Sequence, residues 1–374
     1  MLQFLAFPPL LFAGTAYAVY RGVKKMEGED LSRFDGTDTV FREADPDSSG
    51  LKVVNAFLHE NFIKPAQAAG AKTGWEDKRE RFEQGGLART DCVAEYRVDT
   101  IQVDGHTLHG RWTLVDGYDP DRRVLYLHGG AFTVGSDVSH RPLTWNLARR
   151  TGAAVFAPNY RLMPEHERRW SVADARAAYQ WIIDNGPDGA SPAKALAVSG
   201  DSAGGNLALM LSNWVKSVGL RAADAVYAIS PSVDSTASSP TFKSNLETDL
   251  MLQPLLRPLV KVPRALLLWG MRRQTGINPN DPDINPVFGD LSDLPPTLVQ
   301  ASSTEMLYGD AERYVGKARE SGSPVQLQSW SNMPHVFQIF DDALPEAHDA
   351  LDEAAEFLRE HGVAKPGWEA PARS

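Results

Sequence analysis

The chain has 374 residues, of which 43% are hydrophobic and 23% charged, an ordinary globular composition that excludes global disorder, collagen and coiled coil. Lys+Arg is 38 and Asp+Glu is 48, so the formal charge is −10; with no long basic run, nucleic acid is a poor partner. The single cysteine, Cys92, excludes an intrachain disulfide and a Cys-based zinc site. A chain of this length buries a sizeable core without either and allows two domains, or one large α/β domain with an appendage.

Residues 1–20 carry no charged side chain, and Arg21, Lys24 and Lys25 follow at once. The run is long enough for one membrane-spanning helix of about 20 residues, although Pro8 and Pro9 would kink it. Ala16-Tyr17-Ala18 looks like a signal-cleavage site, but the basic residues follow the apolar stretch rather than precede it. The expectation is a membrane association, with the positive-inside rule placing the body of the chain in the cytoplasm. Export after cleavage, and an arm packed on the protein itself, are the rivals.

Residues 26–90 are polar with helical hints. Val53, Phe57 and Phe62 fall near helical spacing, and WEDKRERFEQGG ends in a Gly pair expected to stop a helix. From residue 93 the pattern becomes strand-like. Tyr96, Val98, Ile101 and Val103 lead into Asp104-Gly105 and then Leu108–Leu114, a hairpin signal. Apolar strands then alternate with helical stretches: RRVLYLHGG, TWNLARRTG, AAVFAPNY, VADARAAYQWIIDNG, ALAVSG, SAGGNLALMLSNWVKSVG and AVYAISP. After a break come TLVQASS, GDAERYVGKARESG, VQLQSW and HDALDEAAEFLREHG. This alternation predicts an α/β fold, a mostly parallel sheet with helices on both faces. The break, residues 233–282, contains the apolar run MLQPLLRPLVKVPRALLLWGM and is a candidate lid.

Gly200-Asp201-Ser202-Ala203-Gly204 lies between a strand and a long helix. That is the context a G-x-S-x-G nucleophile elbow requires. A strained turn there pushes the hydroxyl of Ser202 out of the sheet, and the helix N-terminus favours developing negative charge. A serine hydroxyl also needs a base, and the base an orienting acid. In elbow hydrolases these follow in the order Ser, Asp/Glu, His. Of nine histidines only His335, His348 and His361 follow Ser202. The last two fall in or at the end of a charged helix, whereas His335 lies in the loop after VQLQSW, where a base belongs. The acid should end strand TLVQASS. Glu305 comes three residues after Ser302; Asp310 is the alternative, or a cap of the next helix. His128-Gly129-Gly130-Ala131-Phe132 ends another strand, and N–H groups of Gly129 and Gly130, with that of Ala203, are candidates for an oxyanion hole.

Four motifs in order, HGGAF, NYRLMPE (159–165), GDSAGGN (200–206) and MPHVF, resemble the hormone-sensitive-lipase-like carboxylesterases and lipases of the α/β-hydrolase fold. The resemblance covers roughly residues 93–360. It implies an eight-stranded sheet, a Ser-Asp/Glu-His triad and a helical cap made from an N-terminal segment and an insertion. The implied division is an apolar segment 1–25, cap residues 26–90 and 233–282, a core of 91–232 and 283–363, and a tail 364–374. The implied activity is hydrolysis of short- to medium-chain acyl esters through an acyl-enzyme, with no metal or organic cofactor. Two positions depart from the usual pattern: Ala131 stands where a third Gly is common, and Glu305-Met306-Leu307 where Asp-Pro-Leu is. Tyr160, Arg161 and Glu165 read as bracing residues near the oxyanion strand, and Asp201 and Asn206 as braces of the elbow.

A lactonase or an acyltransferase would use the same triad. A non-catalytic binding protein would ordinarily have lost the Ser, the His or the glycines, and all are present. Met251, Leu252, Leu255, Leu256 and Leu259 suggest an apolar acyl or alcohol group in a small-molecule or lipid ester. An edge strand of such a sheet could pair between subunits in a homodimer.

Overall fold

The structure, a computed structural model, describes residues 20–68, 74–87 and 89–371. The anchor and signal readings fall on residues 1–19, outside the described residues. Among the described residues no helix is long and apolar enough to cross a membrane.

Eight strands form the main sheet: β1 (Glu95–Val103), β2 (His106–Leu114), β3 (Asp119–Leu127), β4 (Ala153–Pro158), β5 (Ala195–Asp201), β6 (Ala225–Ile229), β7 (Thr297–Ser302) and β8 (Val325–Trp330). Their order is β1-β2-β4-β3-β5-β6-β7-β8. The β1–β2 hairpin is antiparallel and closes on Val103↔His106 around Asp104-Gly105, both at positive φ, as a tight hairpin turn demands. β2 also runs antiparallel to β4, and every other pairing is parallel. Parallel neighbours need crossovers, which the helices supply.

The larger helices are α1 (Ser49–Leu58), α2 (Trp75–Leu87), α3 (Arg141–Thr151), α4 (Arg168–Asp184), α5 (Ala203–Val218), α6 (Gln253–Val260), α7 (Arg264–Thr275), α8 (Tyr308–Glu320) and α9 (Pro345–Glu360). Period-2 alternation sorts the strand residues. Leu125, Leu127, Ala154 and Phe156 join a core with α4, α5 and α8, while Val124, Tyr126 and Val155 join a second core with α3 and α9. Each fully buried Leu, Val or Phe among them stabilises the fold by about 1.5–3 kcal/mol. The result is a rigid support whose loops can carry chemistry.

The N-terminal region wraps this core. Leu31 and Phe34 pack into the first core cluster, and Leu51, Val54 and Leu58 of α1 pack with Trp330 and Phe337. The N–H groups of Phe41 and Arg42 donate to Ser329 O at 2.9 and 3.0 Å. The chain thereby covers the β8 edge itself, leaving β1 as the open edge of the described sheet. α2 differs from expectation: it runs through Gly85-Gly86 to Leu87. Helical glycine costs only about 1 kcal/mol, and α2 is held by contacts described below.

Candidate active site

Ser202 follows β5 and caps α5 with φ 53 and ψ −113. Its N–H donates to Ile229 O at 2.7 Å, and its carbonyl accepts from Asn206 N and Ser232 N at 3.0 and 3.2 Å. These bonds hold a backbone conformation that costs about 1–3 kcal/mol. The turn is tight enough that a Cβ on Gly204 would run into the Leu127 carbonyl. Asn206 fastens it further: its Oδ1 accepts from Arg168, and its Nδ2 donates to Ser232 O and Ile284 O.

Glu305 and His335 come from the loops after β7 and β8, and both are buried. The His335 Nδ1 lies 3.1 Å from Glu305 Oε2. An ionised carboxylate only accepts, so Nδ1 carries the proton. Ser230 Oγ donates to the same Oε2 at 2.8 Å and accepts from Val336 N at 3.2 Å. His335 Nε2 is buried with no partner among the described residues. Burial pulls the imidazole pKa down, but the Glu305 carboxylate outweighs it and the net direction is up, with Asp249 and Asp201 adding to it. Burial pushes the Glu305 carboxyl up and His335 draws it back.

Asp310, the alternative acid, lies elsewhere. Its Oδ2 accepts from Val233 N and Asp234 N at 3.0 and 2.9 Å, and burial pushes its pKa well above the usual range. It pins the strand-β6 loop and does not cap α8, whose N-cap position is Leu307. His348 meets Arg150, and His361 packs edge-on to Phe357.

The loop after β3 corrects one expectation. The N–H of Gly129 is committed to Asp201 Oδ1 at 3.0 Å, so it cannot face a substrate oxygen. Asp201 also accepts from Tyr126 OH at 2.6 Å and lies 3.3 Å from His140 Nε2. Gly130, Ala131 and Phe132 then turn through φ 109, 52 and 59. The N–H groups of Gly130, Ala131 and Ala203 donate to no group among the described residues. Positive φ at Ala131, Phe132, Ser202, Ser230 and Val336 gathers backbone strain in these loops, a distribution typical of active sites. Tyr160 stacks on His128 at 4.2 Å and donates to its carbonyl at 2.6 Å. Burial drops the His128 pKa to about 3, so the ring is neutral. Arg161 pairs with Asp174 at 2.6 Å.

Several supporting residues carry no sequence signal. Arg79 of α2 donates to Thr133 O at 2.9 Å and Met163 O at 3.0 Å and pairs with Glu165. Glu83 accepts from Ser136 Oγ. Asp249 accepts from Met306 N, and Asn245 Nδ2 donates to the carbonyls of Ser303 and Glu305. Each is an ordinary polar residue outside any motif, and only the fold brings it to the site. Among the described residues no group of three or more His, Cys, Asp or Glu side chains could hold a metal ion.

Known proteins agree with this architecture. A family profile for the alpha/beta hydrolase fold matches residues 124–339. The chain is 34% identical over 320 residues to an acetyl-hydrolase of Streptomyces hygroscopicus, covering 83% of this chain and 97% of that one. It is 35% identical over 236 residues to an esterase of Acinetobacter venetianus, covering 63% and 73%. The crystal structure of an esterase from the bacterial hormone-sensitive lipase family superposes with a TM-score of 0.70 at 31% identity, over 84% of this chain and 99% of that chain. The chain therefore belongs to the α/β-hydrolase family, among its hormone-sensitive-lipase-like ester hydrolases.

Proposed function

We propose that the chain is a serine carboxylesterase in which Ser202, His335 and Glu305 form the triad. The observation that carries this is the His335 ring: Nδ1 is fixed on Glu305 at 3.1 Å, and Nε2 is buried with no partner among the described residues. That nitrogen takes the Ser202 proton as Oγ attacks the ester carbonyl. The N–H groups of Gly130, Ala131 and Ala203 receive the oxyanion. The protonated His335 gives its proton to the leaving alcohol, and an acyl-enzyme on Ser202 results. Water, deprotonated by His335, attacks the acyl carbon, and the proton returns to Ser202 Oγ as the acid leaves.

Residues 26–90 and 233–282 are proposed to supply the cap. Phe62 from the first segment and Leu250 and Met251 from the second pack against the same buried cluster, which includes Leu51, Leu58 and Trp330. Short to medium acyl chains are the proposed substrates, supported by a relative named acetyl-hydrolase. From the sequence of residues 1–20 and the basic residues behind it, we infer membrane association with the body on the cytoplasmic side.

The test is hydrolysis of p-nitrophenyl acetate, butyrate, octanoate and palmitate by the chain and by Ser202→Ala. Activity that peaks at short or medium chains and vanishes in the variant is expected. Turnover retained by pure Ser202→Ala would overturn the assignment. Addition of an alcohol acceptor separates hydrolysis from transfer: free acid alone is expected.

A further inference from the structure

The insertion that carries α6 and α7 has an unusual surface. Residues 250–280 contain five basic side chains (Arg257, Lys261, Arg264, Arg272 and Arg273) and no acidic one, in a chain of net charge −10. Helix α6 buries none of its residues. Leu255 is 54% exposed, Leu266 60% and Trp269 58%, with Leu259 and Val262 also exposed. Leu255 and Leu259 are one helical turn apart, as are Leu266 and Trp269, so each helix turns an apolar stripe outward. Arg273 lies over the Trp269 ring. Such a surface is poorly placed in water. Leu and Trp beside Lys and Arg is the composition of a helix lying in a lipid interface.

A second observation fixes the direction. The described chain begins at Tyr20, which is exposed, in a helical stretch over residues 20–27. Glu27 of that stretch lies 3.9 Å from Arg264 at the start of α7. The first described helical stretch thus meets the start of α7, the helix that carries the exposed stripe; Lys24 of that stretch pairs with Glu27, and Lys25 is exposed. The geometry points to an anionic lipid bilayer as the partner of this cap face: Leu266, Trp269 and Val262 sink to the acyl boundary while Lys261 and Arg273 meet lipid phosphates. The same insertion fastens the Glu305 loop through Asp249, so docking would hold the site close to the lipid surface. This goes beyond the esterase reading and does not depend on the triad.

The test uses the full chain with Leu266→Cys, and separately Val262→Cys, carrying an environment-sensitive thiol fluorophore. Val98→Cys on β1, 55% exposed and so close to Leu266 in exposure, is the control. Turnover of p-nitrophenyl acetate reports that each labelled chain is folded. Phosphatidylglycerol-containing vesicles should shift the emission to the blue at 266 and 262 and not at 98, and pure phosphatidylcholine should do so weakly. In the Lys261→Gln/Arg273→Gln chain the shift should be lost at moderate lipid, since two missing cations weaken lipid binding about 30-fold. Sedimentation with vesicles but no shift at 266 or 262 would mean that residues 1–19 alone hold the membrane, and would overturn the proposal. Emission already blue without lipid would mean that residues 1–19 or a second copy covers the face, and would overturn it too. Neither result touches the esterase assignment, which the ester assay reads separately.

Discussion

The carboxylate of Asp249 clamps the insertion to the acid loop: Oδ2 accepts from Met306 N at 2.8 Å and Oδ1 accepts from Leu252 N at 2.9 Å. Met306 follows Glu305, so a residue of the proposed cap sets the position of the proposed triad acid. Asn245 holds the same loop from its carbonyl side. Asp249→Ala leaves two amides without their acceptor, at a cost of about 1–3 kcal/mol where they stay buried. Displacement of Glu305 and then His335 should lower kcat on the order of 10- to 100-fold, with KM nearly unchanged. Steady-state kinetics on a short ester and thermal unfolding check this. A change in KM alone would make the insertion a lid and nothing more.

The proposed base must be neutral to accept a proton. Glu305 holds the His335 pKa above its ordinary value despite burial. The acid limb of kcat/KM should therefore have its midpoint above about 6.5, with activity falling as pH drops through it. Glu305→Gln removes the carboxylate and leaves the burial. The midpoint should move to lower pH, and the plateau should fall by up to about 10,000-fold as the ring loses its tautomer. Rates from pH 5 to 9 for both chains test this; an acid limb that stays in place would exclude Glu305 as the partner of His335.

A second buried pair stands behind the loop after β3. Burial lowers the His140 pKa but Asp201 outweighs it, so the net direction is up. Burial raises Asp201 but His140 and the Tyr126 hydroxyl outweigh that, so the net direction is down. The His140 share of stability is complete below about 6.5 and is lost as pH rises through the raised folded value. The Asp201 share is complete above about 3.9 and is lost as pH falls through the depressed folded value. The stability difference between the chain and Asp201→Asn should be largest between about pH 4 and 6.5 and narrow on either side. Urea midpoints at pH 5 and 8.5 check it.

Much of this was legible because the relevant signals are local. The β-α alternation, the Ser202 elbow and the Asp104-Gly105 turn each depend on a few adjacent residues. Chain order and strand ends pointed to His335 and Glu305, and the two side chains do meet, at 3.1 Å; their roles in a triad are the proposal above. Residues whose role depends on distant partners were not legible. Asp249 resembles any polar residue before a helix until Met306 is seen against it. Arg79 resembles a solvated helix cation until Thr133 and Met163 present their carbonyls. The same contacts explain α2: Arg79 and Glu83 tie it to the loop after β3, so Gly85-Gly86 does not end it. Gly129 was misread for a related reason. Its motif marks a close approach, and the approaching group is the Asp201 carboxylate, which a Cβ on Gly129 would overlap.

That distinction separates three neighbouring positions. Gly129→Ala should collapse the loop, because the new Cβ meets the buried Asp201. Ala131 already pays a backbone cost at φ 52, about 1–2 kcal/mol for an L-residue in the left-handed region. Ala131→Gly removes that strain but adds about 0.5–1 kcal/mol of unfolded-chain entropy, so stability should rise by up to about 1.5 kcal/mol. The N–H proposed to receive the oxyanion is kept, so p-nitrophenyl acetate turnover should stay near the parent level. Ala131→Pro removes the N–H and forces negative φ, and turnover should be lost. Urea midpoints and ester kinetics on the three chains give the ranking. A marked loss of stability in Ala131→Gly would mean that the Ala131 methyl, and not its backbone, is what the loop needs at this position.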